Sequence, residues 1–193
     1  MGDDGDRIAW YDPPQRGVFP LDQFHVPGSV RRLLKRQEFH VEVDRRFTEI
    51  VLSCGSEQAG RYDTWINGPI VEAYSQLHRD GHAHSIEVVL DDKLVGGLYG
   101  VRIGSAFFGE SMFSYVAGGS KIALVHTAAR LAVAGFQLFD AQYHTEHLQQ
   151  YGCIEISRRK YKRQLKKALA SDCVFPTELS RDQLATFVTK SRC

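Results

Sequence analysis

Cysteine is scarce in this sequence, charge is nearly balanced, and no apolar stretch is long. The four cysteines, Cys54, Cys153, Cys173 and Cys193, form no CxxC pair, which fits neither a disulfide framework nor a zinc ribbon, so they read as reduced thiols. No apolar run approaches the roughly 18 residues of a membrane span. The start, MGDDGDR, is acidic and polar rather than a signal sequence, so the expected compartment is the cytoplasm. The formal net charge of +1 excludes a global field that would attract nucleic acid, leaving that task to local clusters. No internal repeat is present. No phosphate loop of the Q/R-x-x-G-x-G/A kind occurs, so backbone amides for a CoA pyrophosphate are not evident.

What is present is ordinary globular material. With 193 residues, 43% hydrophobic and 24% charged, the chain suits one domain with a core of useful size, and residues 171–193 form a C-terminal tail. Residues up to Pro14 should be largely irregular until Trp10 and Tyr11. Gly17 to Pro20 reads as a strand, and Ser29 as the N-cap of a helix to about Arg36 that carries Arg31, Arg32, Lys35 and Arg36. Phe39 to Val43 alternates as a strand. Phe47, Ile50, Val51 and Cys54 stand at helical spacing, and Gly55 and Gly60 bracket a loop. A helix is expected from Pro69 to Gly81, with Ile70, Ala73, Tyr74 and Leu77 inward.

Ser85 to Leu90, Lys93 to Ile103 and Ala106 to Phe113 read as an antiparallel meander, joined by hairpins at Asp91-Asp92 and Gly104-Ser105. The central strand holds Gly96, Gly97 and Gly100, which suggests a bulge or the close approach of a ligand. Arg158 to Ala170 should be a basic amphipathic helix with Tyr161, Leu165, Ala168 and Leu169 inward, following a strand at Ile154 to Ile156. A short helix is expected from Arg181 to Val188.

Gly109 to Tyr151 is the stretch around which the rest is arranged. It holds a strand end, a helix from Lys121 capped by Ser120 and stopped by Gly135, a strand from Phe136 to Tyr143, and a short helix, which together make about one βαβ unit. The helix is apolar nearly all round and should be buried on two sides. Strand alternation puts Asp140 and Gln142 on one face, about 7 Å apart. Such a pair can orient a nucleophile, or it can merely cap the next helix or satisfy loop amides.

GESMFS, SKIALVH, DAQ-x-x-T-x-H-L and G-C-I-E-I-S-R-R resemble signature segments of the leucyl/phenylalanyl-tRNA–protein transferase family. So do TWIN at Thr64 to Asn67, VEAY at Val71 to Tyr74, GHAHSIEV at Gly81 to Val88 and LVGGLYGV at Leu94 to Val101. The likeness runs in order from Trp10 to Tyr161. It implies an α+β fold, a mixed, mainly antiparallel sheet flanked by helices and similar to the acyl-CoA N-acyltransferase (GNAT-like) fold. It also implies transfer of leucine or phenylalanine from aminoacyl-tRNA to the α-amino group of proteins beginning with Arg or Lys, as an N-degron tag, with no cofactor.

Under that resemblance Asp140 and Gln142 match the catalytic pair, with Asp140 polarising Gln142 so that it accepts a hydrogen bond from the attacking amine. Glu110 matches a substrate-binding residue. Met112, Leu124, Thr127, Leu131 and Phe139 match the donor side-chain pocket, with Thr127 standing where family members can carry a bulky apolar residue. Trp65 and Tyr74 match aromatics lining the site of the terminal aminoacyl-adenosine. Arg158, Arg159, Lys162, Arg163, Lys166 and Lys167 are candidates for tRNA phosphates, as is the Arg31 to Arg36 cluster. His78, His82 and His84 could suggest a metal site, but the family uses no metal.

Family members carry an additional N-terminal segment ending in G-x-F-P-W or G-x-F-P-M, and this sequence begins at about the point where that motif ends, so part of the donor site is expected to be missing. The competing readings are an acetyl-CoA-dependent N-acetyltransferase and a non-catalytic tRNA- or N-terminus-binding relic. Binding of CoA against charged tRNA separates the first, and binding without turnover the second.

Overall fold

The computed structural model describes residues 11–56 and 64–191 fully, and the backbone alone at 2–3 and 7–8. Trp10, Gly60 and Cys193, to which expectations were attached, lie outside the described residues. The short strands β1 (Gly2–Asp3) and β2 (Arg7–Ile8) pair antiparallel where irregular chain is expected.

The later strands are β3 (Gln15–Phe19), β4 (His40–Val43), β5 (Ala83–Leu90), β6 (Lys93–Ile103), β7 (Ala106–Ser114), β8 (Leu138–Gln142) and β9 (Ile154–Ser157). They form one seven-stranded sheet in the order β4-β5-β6-β7-β8-β3-β9. Every neighbouring pair is antiparallel except β7 with β8. The fold is therefore α+β with a mixed, mainly antiparallel sheet. The β5-β6-β7 meander is as expected, and Asp91 and Asp92 turn the first hairpin with φ of 48° and 61°, the paired left-handed conformation that matches strand twist.

The helices are α1 (Gly28–Arg36), α2 (Phe47–Gly55), α3 (Gly68–Arg79), α4 (Gly119–Val133), α5 (Glu146–Gln149), α6 (Arg158–Leu169) and α7 (Arg181–Lys190). The sheet separates two apolar layers, because successive residues of β6 point to opposite faces. Leu98 packs with Ile122, Leu124 and Val125 of α4, whereas Tyr99 packs with Phe47 and Ile50 of α2. On the side of α2 and α3, α6 extends the cover over Val18, Leu138 and Ile156. Thus α4 lies between the sheet and α7, buried on two sides as its composition demands. One departure is Arg130, 4% exposed, whose Nη1 sits 3.1 Å from His126 Nδ1. Burial lowers the pKa of this guanidinium to about 10 and that of His126 to about 3.

Two expected caps differ. The residue before α4 is Gly118, not Ser120, whose N–H instead bonds Ser114 Oγ at 3.1 Å. The residue before α1 is Pro27 rather than Ser29, because Pro27's carbonyl already receives the N–H groups of Val30 and Arg31. The glycines of β6 also answer differently from expectation. A Cβ on Gly96 would stand 2.7 Å from the Gly119 backbone, and one on Gly97 2.6 Å from Ile50. The close approach is by α4 and α2, not by a ligand, although the expected bulge is present between Tyr99 and Gly100.

Candidate active site

The parallel pairing of β7 with β8 covers only Ala106 to Phe108 against Leu138 to Asp140. Beyond those residues the two strands part, and the opening exposes their side chains and backbone at the sheet's middle. A pocket of about 110 Å³ occupies this opening on the α4 side, lined by Leu98, Met112, Leu124, Phe139 and Leu148. Glu110 and Gln142 also line it. A groove of about 1110 Å³ between β3, the end of α4 and α7 is far larger, yet it contains none of Glu110, Asp140 or Gln142. Chemistry, not size, therefore selects the smaller pocket.

The extended backbone on which the expected common face of Asp140 and Gln142 depends is interrupted at Gln142. Asp140 follows the alternation and points to the α6 side, fully buried. Gln142 takes φ of +60°, a conformation that costs a non-glycine residue about 1 kcal/mol or more, and it lines the pocket that Asp140 does not reach. Two features impose the turn. Asp140 Oδ1 accepts the Gln142 backbone N–H at 2.8 Å, and β3 shifts register between Gly17 and Val18 opposite it. A Cβ at Gly17 would stand 2.5 Å from the Tyr143 carbonyl carbon, so only glycine admits the backbone here.

The rest of the Asp140 carboxylate is equally occupied. Arg16 donates through Nε at 3.0 Å to Oδ1 and through Nη2 at 2.8 Å to Oδ2, and Tyr161 Oη donates to Oδ2 at 2.6 Å. Arg16 also lies over the Tyr161 ring, 5.2 Å from its centroid. Burial opposes the Arg16 charge, but the carboxylate more than compensates and its pKa is raised. The Tyr161 hydroxyl is pushed up by burial and then by Asp140. Neither Arg16 nor Gly17 was singled out by sequence, and Tyr161 was read only as an inward packing residue. The usable signal was a charged residue inside a strand and a hydroxyl on the apolar side of a basic helix.

Glu110 stands midway along β7, at the bulge between the partners of Tyr99 and Gly100. Burial raises its pKa to about 7, against the hydrogen bond from the Tyr74 hydroxyl, and the Asp140 charge raises it further. Burial likewise raises Tyr74. Trp65 meets Tyr74 edge-on at 6.4 Å between centroids. Both aromatics pack on the α2–α3 layer, outside the pocket lining, with Tyr74 joined to it through Glu110.

Of the expected apolar pocket, Met112, Leu124 and Phe139 are in the lining. Thr127 and Leu131 are not: both are fully buried on α4, and the Thr127 hydroxyl donates to the Ala123 carbonyl at 2.8 Å. Within α6, Lys162 and Arg158 pair with Asp12 at 2.8 and 3.2 Å, and the Arg158 fork also bonds the Asp12 and Pro13 carbonyls. Arg159, Arg163, Lys166 and Lys167 are exposed. In the α1 cluster Arg31 is tied to the carbonyls of Val26 and Ser191, whereas Arg32, Lys35 and Arg36 face solvent. His78 Nδ1 lies 2.8 Å from the Ala83 carbonyl, and His84 Nδ1 2.7 Å from Asp44. Among the described residues no helix is long and apolar enough to cross a membrane.

The sequence model of the family described as Leucyl/phenylalanyl-tRNA protein transferase matches residues 18–166, from β3 through most of α6. This chain belongs to that family of aminoacyltransferases. A relative from Hyphomonas neptunium, named leucyl/phenylalanyl-tRNA–protein transferase, is 53% identical over 86% of this chain and 64% of its own length. Relatives of the same name from Phenylobacterium zucineum and Maricaulis maris are 50% and 44% identical over 88% and 98% of this chain, and 76% and 89% of their own. The chain thus spans just under two thirds of the first of these relatives. Among solved structures, L-PGS from Bacillus licheniformis aligns with a TM-score of 0.49 at 14% identity, covering 92% of this chain and 64% of that one. An aminoglycoside acetyltransferase from a soil metagenomic sample aligns with a TM-score of 0.44 at 11% identity over 76% and 93%. Likeness at that level carries no argument about chemistry.

Proposed function

We propose that this chain transfers leucine or phenylalanine from aminoacyl-tRNA to the α-amino group of a protein acceptor, one beginning with Arg or Lys. The observation that carries the reading is the small apolar pocket between the parted ends of β7 and β8, with Glu110 and Gln142 in its lining. Its volume suits a single amino-acid side chain.

The reaction follows from the donor's chemistry. The aminoacyl ester is already activated, so the protein has to hold a carbonyl and a neutral amine at attacking distance. The donor side chain lies against Met112, Leu124 and Phe139, and the Gln142 amide oxygen accepts a hydrogen bond from the incoming amine. The C–N bond forms, the ester C–O bond to the terminal ribose breaks, and the amine's proton ends on the ribose oxygen. Glu110, with a pKa near neutrality, pairs with the donor ammonium or the basic acceptor terminus. Trp65 and Tyr74 stack the terminal adenosine, and the exposed Arg159, Arg163, Lys166 and Lys167 hold phosphates without reading sequence.

The test is incubation with labelled Phe-tRNA and a peptide beginning with Arg, beside the same peptide with labelled acetyl-CoA. Label from the tRNA on the peptide's α-amine supports the reading. Acetyl transfer, or tight binding of charged tRNA without turnover, would replace it by the acetyltransferase or the non-catalytic alternative.

A further inference from the structure

We propose that Arg16 and Tyr161 are positioning residues that hold the left-handed turn at Gln142, beside the pocket, acting through Asp140, which serves as a strut. The proposal rests on the functional reading above for its kinetic arm only. Asp140 is fully buried and lies outside the pocket lining, so no substrate atom reaches it. Its two oxygens already receive the Arg16 fork, the Tyr161 hydroxyl and the Gln142 backbone N–H, which uses the available lone pairs. A carboxylate with so many donors is a good place to anchor a strained turn.

The anchor comes from three separate elements. Arg16 is on β3, Tyr161 on α6 and Gln142 on β8, so the Gln142 turn is set by tertiary structure rather than by its own sequence. Arg16 lies over the Tyr161 ring while both donate to the same carboxylate, so loss of either loosens the other. Gly17 leaves room for the turn.

A double-mutant cycle tests this in the full chain. Tyr161→Phe removes one donor while keeping the ring, and Arg16→Lys keeps the charge while removing the fork. Each should lower kcat for transfer about 3- to 30-fold with KM for charged tRNA changed less than twofold. In a Gln142→Ala background, Tyr161→Phe should cause no further loss, because its effect passes through Gln142. Full additivity would overturn the proposal while leaving the transferase reading intact.

A second readout does not need turnover. The Gln142 side-chain amide protons, assigned by their loss in Gln142→Ala, should shift or broaden in Tyr161→Phe and Arg16→Lys. Unchanged amide signals in both variants would overturn the positioning role, even in a protein that transfers nothing.

Discussion

Two carboxylates stand midway along neighbouring strands, and the protein surrounds them differently. Asp140, midway along β8, is wholly buried but receives an arginine fork, a tyrosine hydroxyl and a backbone amide. Glu110, midway along β7, has its pKa raised to about 7 by burial, which the Tyr74 hydroxyl does not offset. The two carboxylates thus differ in the number and kind of donors that reach them.

The largest expected effect comes from disarming the first carboxylate. Asp140→Asn leaves Arg16 partly buried without its counter-ion and should lower stability by about 2 to 4 kcal/mol in urea unfolding. A loss under 0.5 kcal/mol would mean that the network is no anchor. Disarming the second should act in the other direction. Because the folded pKa of Glu110 lies above its ordinary value, the unfolded chain releases this proton first as pH rises. Stability should therefore fall between about pH 4.5 and pH 7 by up to about 3 kcal/mol. Glu110→Gln should remove that decline and be the more stable protein at pH 8. An identical slope in both would assign the titration to another group.

A smaller effect is expected in the pocket between them. Met112→Ala deepens the lining, and should raise the Phe to Leu donor ratio about fivefold, about 1 kcal/mol of discrimination. An unchanged ratio would place donor selection elsewhere. The smallest effect on the fold is expected at α6. Replacing Lys166 and Lys167 with Gln should leave stability within about 0.5 kcal/mol while reducing the log–log salt slope of tRNA binding by about two units. An unaltered slope would make these lysines solvated surface.

Much of this architecture is legible in the sequence, for local reasons. β6 runs from Lys93 to Ile103 as its alternation and the Asp91-Asp92 hairpin predict, and α2 ends one residue past the last apolar position, Cys54. The contrast between the two carboxylates is not legible, because it depends on what reaches them from distant elements. Strand periodicity puts Asp140 and Gln142 side by side, and only the Gly17 close approach and the bond from the Gln142 N–H to Asp140 reveal the left-handed turn at the second residue. Thr127 and Leu131 illustrate a different limit. A pocket wall and a core interior demand the same residue types, so pattern alone cannot separate them.

The most direct measurement is the single-turnover rate of Phe transfer from charged tRNA to an Arg-initiated peptide by Gln142→Ala, set beside the dissociation constant of the same tRNA. The expected result, on the proposed role of Gln142 in orienting the nucleophile, is a rate lowered at least about tenfold with affinity unchanged within a factor of two. An unaltered rate, or rate and affinity falling by the same factor, would contradict the account.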